Sequence, residues 1–302
     1  MAKKQRKPST RRADRDHRDP FRLQPRDVEI IRAVNDCQAL TPEQILTAFF
    51  GSKSPAYKRL RGLFDHQYLR RDQIPQVDID APTSTTIYTI LDLGAEALAA
   101  NYGYTAEDMR YANKQVLDYR TLQHIRFLND LRVAILRAVR ESGDYEIVEW
   151  VDEKRFRAKP DKVYVGNNSK AKPILPDWYF ALNTPLGKAR FFVEADTGTE
   201  PLSQVRSQFE IYHEYIVSGR YMERYQSRSL MILVMTSSQK RLANLKESIQ
   251  RAGSADVYWL TTHDQIRQEE VKANPLMVFE APIWQTVQSD EMKVLIQPGG
   301  GG

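Results

Sequence analysis

Two apolar stretches that carry acids at their ends constrain this chain more than any other feature. Ile174 to Leu182 holds Asp177 directly after Pro176, and Phe191-Phe192-Val193-Glu194-Ala195-Asp196 runs into Thr197-Gly198-Thr199-Glu200. Each reads as a buried strand. Side chains two apart on a strand share a face, so Glu194 and Asp196 point one way and Ala195 the other. With residues 183–188 as the hairpin connection, Leu182 faces Ala189 and Asp177 falls opposite Glu194. Cβ atoms of such an opposed pair lie about 5 Å apart. Three carboxylates then converge at one end of a sheet, which costs energy unless they bind a cation or share protons. The same residues also suit a plain turn, with Thr199 as the N-cap of the next helix and acids near its start. A slip of one residue in register would send Asp177 to the other face.

A chain of 302 residues suits two domains. No apolar run approaches the roughly 20 residues of a membrane helix, and Leu230 to Met235 is strand-sized. The basic N-terminus lacks the apolar segment of a secretory signal. A single cysteine, Cys37, excludes an internal disulfide framework and a cysteine-based zinc site, and its place in a helical pattern points to a buried thiol. The expected location is cytoplasmic, with no membrane partner. The net charge is +5, and residues 1–20 supply all of it, with eight Lys/Arg against three Asp. A basic arm without apolar residues, taken to run over residues 1–24, is expected to be disordered when free and to suit phosphate backbones or acidic partners.

From Arg26 the pattern becomes helical. Val28, Ile30, Ile31 and Val34 line a first helix, and Thr41-Pro42 starts a second with a capping Thr and Pro at the first helical position. A third begins near Ser54-Pro55, with Ala56, Leu60, Leu63 and Phe64 on its inner face and Ser54, Tyr57, Lys58 and Arg61 on the other. Tyr68 to Arg71 and Thr86 to Ile90 read as a two-stranded ribbon, and Leu93-Gly94-Ala95 opens a closing helix. Residues 25–104 thus read as a winged helix-turn-helix, whose third helix enters the major groove. Tyr57, Lys58 and Arg61, with Ser54, would meet bases or phosphates, and Arg70 and Arg71 the backbone. A protein-binding winged helix with merely solvated basic residues stays open, because Asp72, Asp78 and Asp80 at the wing tip would repel phosphate.

Residues 105–118 read as a helical connector, followed by a long helix from about Tyr119 to Glu141. Strands are expected near Tyr145–Val151, Ile174–Leu182, Arg190–Asp196, Leu230–Thr236 and Val257–Leu260, with helices over Leu202–Val217 and Gln239–Arg251. The core order is helix, three strands, helix, strand, over residues 119–290, with a flexible tail at 291–302. The fold class is therefore a two-domain α+β or α/β chain. His124 and His213, each on a helix, suit packing more than ligation.

That order, with Pro176-Asp177 on the second strand and Glu194-x-Asp196 ending the third, resembles the PD-(D/E)xK nuclease-like fold, a mixed sheet flanked by helices. Together with Leu40-Thr41-x-Glu43-Gln44-Ile45, Leu60-Arg61-x-Leu63, Tyr88-x-x-x-Leu93-Gly94, His124-x-x-x-x-Asn129-Asp130 and Phe192-x-Glu194-x-Asp196-x-Gly198-Thr199-Glu200, it resembles the replication-relaxation family of plasmids and mobile elements over most of residues 25–236. The family implies double-stranded DNA as a partner and a role in replication, maintenance or transcription regulation of a mobile replicon, alongside other replication or mobile-element proteins. A homodimer is compatible with it. In active nucleases of that fold two acids hold Mg²⁺ or Mn²⁺, and a lysine two residues after the second acid assists. Here Asp196 stands at the lysine position, with Arg206 as the nearest substitute and Lys188 or Arg190 as remoter ones. The expected activity is DNA binding with a nuclease-like domain that need not be catalytic. The alternatives are a Mg²⁺-dependent endonuclease using Asp177, Glu194, Asp196 and Arg206, with the three acids on the metal, and a protein-interaction scaffold.

Overall fold

The computed structural model describes residues 21–74, 85–109, 119–167 and 169–297. The basic arm to residue 20, the wing-tip acids Asp78 and Asp80, most of the connector and the final glycines lie outside the described residues.

Pro42 and the Ser54-Pro55 pair do mark helix starts. Helices α1 (Pro25–Asp36), α2 (Pro42–Phe49) and α3 (Lys53–Asp65) are followed by β1 (Leu69–Ile74), β2 (Thr85–Ile90) and α4 (Asp92–Tyr102). β1 and β2 form an antiparallel ribbon with Arg71 opposite Tyr88 and Asp72 opposite Ile87. Chain contacts divide the protein into two units, Met1–Pro42 with Ser52–Gln115, and Glu43–Gly51 with Val116–Gly302. The second helix of the expected N-terminal module therefore groups with the second unit.

In the first unit, Asp27 of α1 is fully buried, yet it is paired. Arg59 of α3 donates to both of its carboxylate oxygens, and the Gln24 backbone N–H donates at 2.6 Å. Burying that acid is tolerable only because the guanidinium comes with it. Gly94 of α4 shows why no larger residue fits there, since an added Cβ would lie 2.4 Å from the Tyr68 carbonyl.

The second unit continues with α5 (Tyr119–Ser142), β3 (Glu146–Asp152), α6 (Glu153–Ala158), β4 (Lys162–Val163), β5 (Lys172–Pro173), β6 (Trp178–Thr184) and β7 (Gly187–Asp196). Then come α7 (Leu202–Val217), α8 (Arg220–Tyr225), β8 (Met231–Thr236), α9 (Gln239–Ala252) and β9 (Tyr258–Thr262). It closes with α10 (His263–Ile266), α11 (Glu269–Ala273), α12 (Met277–Glu280), β10 (Trp284–Thr286) and β11 (Ser289–Lys293). Seven strands form one mixed sheet in the order β11-β10-β9-β8-β7-β6-β3. β3, β6 and β7 are antiparallel neighbours, and β7, β8 and β9 run parallel. Period-two alternation places Phe191, Val193 and Ala195 in the core with Leu128, Leu131 and Ile135 of α5. Phe192 instead joins Phe209, Tyr212 and Tyr215 of α7 and Leu242, Leu245 and Ile249 of α9. The sheet is thus buried on both faces, which explains why its central strands are apolar throughout.

The hairpin register agrees with the sequence, Leu182 pairing with Ala189 and Trp178 with Val193. Its connection is shorter than expected. Asn183 and Thr184 still pair, with Lys188 and Gly187, so only Pro185 and Leu186 form the turn. The second strand also begins at Trp178 rather than Ile174. The flexible tail needs correction as well: β11 extends to Lys293, and Leu295 and Ile296 are buried in the core with the Ile296 N–H bonded to the Phe279 carbonyl. The apolar Leu295-Ile296 pair closes the sheet's far end instead of trailing in solvent.

Candidate functional site

β6 and β7 bring Asp177 and Glu194 side by side at one end of the hairpin. Asp177 stands one residue before β6, and its Oδ2 accepts from the Ala195 backbone N–H at 2.8 Å, extending the pairing by a side chain. Its Oδ1 lies 3.1 Å from His124 Nε2 on α5. Burial alone would lower the His124 pKa, but the hydrogen bond and charge of Asp177 outweigh it and raise the value. The histidine is therefore a partner of the first acid rather than packing alone. Arg132, two turns further along α5 and buried, donates to the Asp177 carbonyl at 3.3 Å and to Asn129 at 3.1 Å.

Glu194 points to the α7 face, as its spacing from Phe192 requires. Tyr212 donates its hydroxyl to Oε1, and Gln208 donates its amide to Oε2 at 2.9 Å. Burial and then the nearby charge of Asp177 push the Glu194 carboxyl well above its ordinary range, against the opposing pull of those two donors. Burial likewise raises the Tyr212 phenol, helped by Glu194, so it stays a donor.

Asp196 shares the Glu194 face but not its partners. Arg241 of α9 grips it in a two-pronged contact, Nε to Oδ2 and Nη2 to Oδ1, both at 2.9 Å, and Thr236 adds its hydroxyl at 2.7 Å. The pair is largely buried, with side-chain exposures of 14% for Arg241 and 8% for Asp196. The same guanidinium reaches the Glu200 carbonyl at 2.8 Å and so holds the Thr-Gly-Thr-Glu loop. Gly198 in that loop adopts φ +81°, where a side chain would be strained.

Two sequence expectations change here. The cation beside Asp196 is Arg241, not Arg206, which faces Glu210 on its own helix at 3.8 Å and is 41% exposed. Lys188 and Arg190 lie near the turn end of β7, away from the acids. Thr199 is not the N-cap of α7, a position taken by Pro201; its hydroxyl bonds to Thr197 at 3.1 Å.

Both oxygens of each of the three carboxylates thus already face a donor of the protein. A small hard cation needs oxygen lone pairs open to it in near-octahedral array. Among the described residues, no group of three or more His, Cys, Asp or Glu is arranged to hold a metal ion.

Beside this cluster, a cavity of about 400 Å³ opens at the ends of β7, β8 and β9, lined by Arg126 and Phe127 of α5, Thr197, Thr199, Ser237 and His263. His263 Nε2 meets Asp130 Oδ2 at 2.7 Å, and Gln44 of α2 bonds the other Asp130 oxygen at 2.8 Å. Burial would raise the Asp130 carboxyl, but those two bonds bring it below its ordinary value. Asp130 is therefore an anion locked between α2 and α10.

In the first unit, Ala56, Leu60 and Leu63 are buried, whereas Ser54, Lys58 and Arg61 are exposed and Tyr57 is 47% exposed. Arg61 stands 3.5 Å from Asp65 but keeps 79% of its side chain in solvent. On the ribbon Arg70 is held by Asp72 at 2.6 Å, and Arg71 lies over the Phe64 ring at 4.7 Å. The α3 residues are thus the more available cations, and the wing arginines are partly engaged.

A family model described as replication-relaxation matches residues 31–229, and the chain belongs to the replication-relaxation family. No curated protein matches it. Two solved structures are similar, titled as the restriction endonuclease FokI alone and bound to DNA. They are 10% and 12% identical, cover 84% of this chain, and superpose with TM-scores of 0.26 and 0.27. The chain spans less than half of their length, 44% in each case. No helix among the described residues is long and apolar enough to cross a membrane.

Proposed function

We propose that this member of the replication-relaxation family is a DNA-binding protein of a mobile replicon. In this reading α3 carries duplex recognition, and the second unit is a nuclease-like scaffold whose acids hold the fold together rather than cut DNA. The observation that carries the reading is the division of α3. Ala56, Leu60 and Leu63 on its apolar side are buried, while Ser54, Tyr57, Lys58 and Arg61 line the opposite side in solvent. A helix with that outer face, followed by a ribbon bearing Arg70 and Arg71, suits insertion in a major groove with backbone contacts beside it.

Against the endonuclease alternative stand the engaged carboxylate oxygens and Asp196 at the lysine position, with the arginine Arg241 as the cation beside it. Arginine remains charged at neutral pH and cannot manage protons. The engagement of Arg70 by Asp72 makes the ribbon the weaker contributor to binding.

The test is binding of the full chain to duplex fragments of its own replicon, by fluorescence anisotropy. Lys58→Ala and Arg61→Ala are expected to weaken binding to the cognate fragment by roughly 1–3 kcal/mol each if they meet base edges. Equal losses on cognate and random duplex would make them phosphate contacts. Undiminished binding by both variants would remove α3 from the interface.

A further inference from the structure

The charge of this chain is concentrated twice. Residues 1–20 hold one concentration and residues 153–172 the other, each with a net +5, leaving the remaining 262 residues at −5. Residues 153–172 lie between the edge strand β3 and the central strand β6. They contain Lys154, Arg155, Arg157, Lys159, Lys162, Lys170 and Lys172 against Glu153 and Asp161.

The described residues of this segment, all but 168, are folded and anchored. Phe156, Val163 and Ile174 are buried in the core with Tyr179, Phe192 and Tyr215. β4 pairs with β5, and the Ile174 N–H bonds to the Asp161 carbonyl at 2.8 Å. Both acids are taken up locally. Glu153 is paired by Arg157, and Asp161 accepts from Tyr215 and from Arg224 of α8, the latter at 2.8 Å. All seven basic residues are exposed, and among them Tyr164 presents 56% of its surface to solvent next to the buried Val163.

We infer that residues 153–172 form a second nucleic-acid surface, distinct from α3, which takes a single strand. Lysines spread over α6, β4 and β5 can follow a phosphate backbone, and an exposed aromatic among them supplies a stacking face for an unpaired base, the combination that single-strand binders use. A duplex would gain the charge attraction but could offer Tyr164 no open base. An anionic membrane fits less well, because α6 has six residues and no row of apolar side chains to insert. The surface begins beside the acid cluster, since the charge of Glu153 at the start of α6 acts on both Glu194 and His124. The inference rests on the DNA-binding reading, but a separate face and a separate ligand carry it.

The test measures the full chain against a fluorescent oligothymidylate, a duplex of equal length and vesicles rich in phosphatidylserine, across a salt series. The variant Lys159→Glu/Lys162→Glu/Lys170→Glu/Lys172→Glu is expected to bind oligothymidylate at least tenfold more weakly. Its slope of log affinity against log salt should become shallower by about 3, at about 0.7 per phosphate contact. Tyr164→Ala should weaken oligothymidylate about tenfold and leave the duplex unchanged; this single exposed change keeps the test valid if the fourfold variant misfolds. Unchanged oligothymidylate binding and slope in both variants would overturn the inference, as would vesicle binding stronger than oligothymidylate binding. Loss through Lys58→Ala and Arg61→Ala on the duplex, with oligothymidylate binding retained, would support two faces.

Discussion

Arg241→Ala lowers the stability of the protein by about 3–5 kcal/mol, because it strands a buried carboxylate without its countercharge. Asp196 then keeps only the Thr236 hydroxyl, and the loop through Glu200 loses its tether. Urea denaturation of the full chain checks the magnitude. The double variant Asp196→Leu/Arg241→Met is expected to recover most of the loss, since an apolar pair of similar volume removes the desolvation cost of both ions. If Asp196 is structural, the double variant also keeps the duplex affinity of the native chain. Loss of DNA binding with stability restored would give Asp196 a functional role.

Glu194→Ala has the second largest expected effect, roughly 2–5 kcal/mol. It leaves the buried Tyr212 hydroxyl and the Gln208 amide without their acceptor and opens a void under α7. Glu194→Gln keeps the shape and costs much less. The two differ in pH dependence as well. A carboxyl whose pKa is raised on folding binds its proton more tightly in the native state, so its stabilisation is complete below the unfolded value of about 4.3 and is lost as pH rises through the folded one. The native chain should therefore lose stability across that window, and Glu194→Gln should flatten the loss. A chain with Glu194 ionised and metal-bound would show the opposite slope.

The hairpin was readable from sequence because two apolar stretches flank a short Pro- and Gly-containing connection, and Leu182 facing Ala189 fixes every pair that follows. The same pairing sets Asp177 opposite Glu194. The partners of the acids were not readable. Arg241 lies 45 residues beyond Asp196 and meets it only because β8 and α9 return beside β7. Phe209, Tyr212, Tyr215 and Ile216 look, in the sequence, like a stripe that packs a helix on a sheet, yet Tyr212 and Tyr215 also donate hydroxyls to acids. β10 has only 3 residues, and β11, Ser289-Asp290-Glu291-Met292-Lys293, has no apolar alternation; it is an edge strand with no fully buried side chain. The helix faces of α3 and α5 were legible because their apolar steps repeat at three and four residues.

The proposed function is DNA binding by a protein whose acid cluster holds the fold rather than a cation. It is tested most directly by duplex affinity of the full chain with and without millimolar Mg²⁺ at constant ionic strength, followed on supercoiled plasmid in the same buffers. The account predicts affinity that falls steeply with salt, is unchanged by Mg²⁺ at matched ionic strength, and is accompanied by no nicking. Tightening by Mg²⁺ together with nicking that disappears in Asp177→Ala would contradict it.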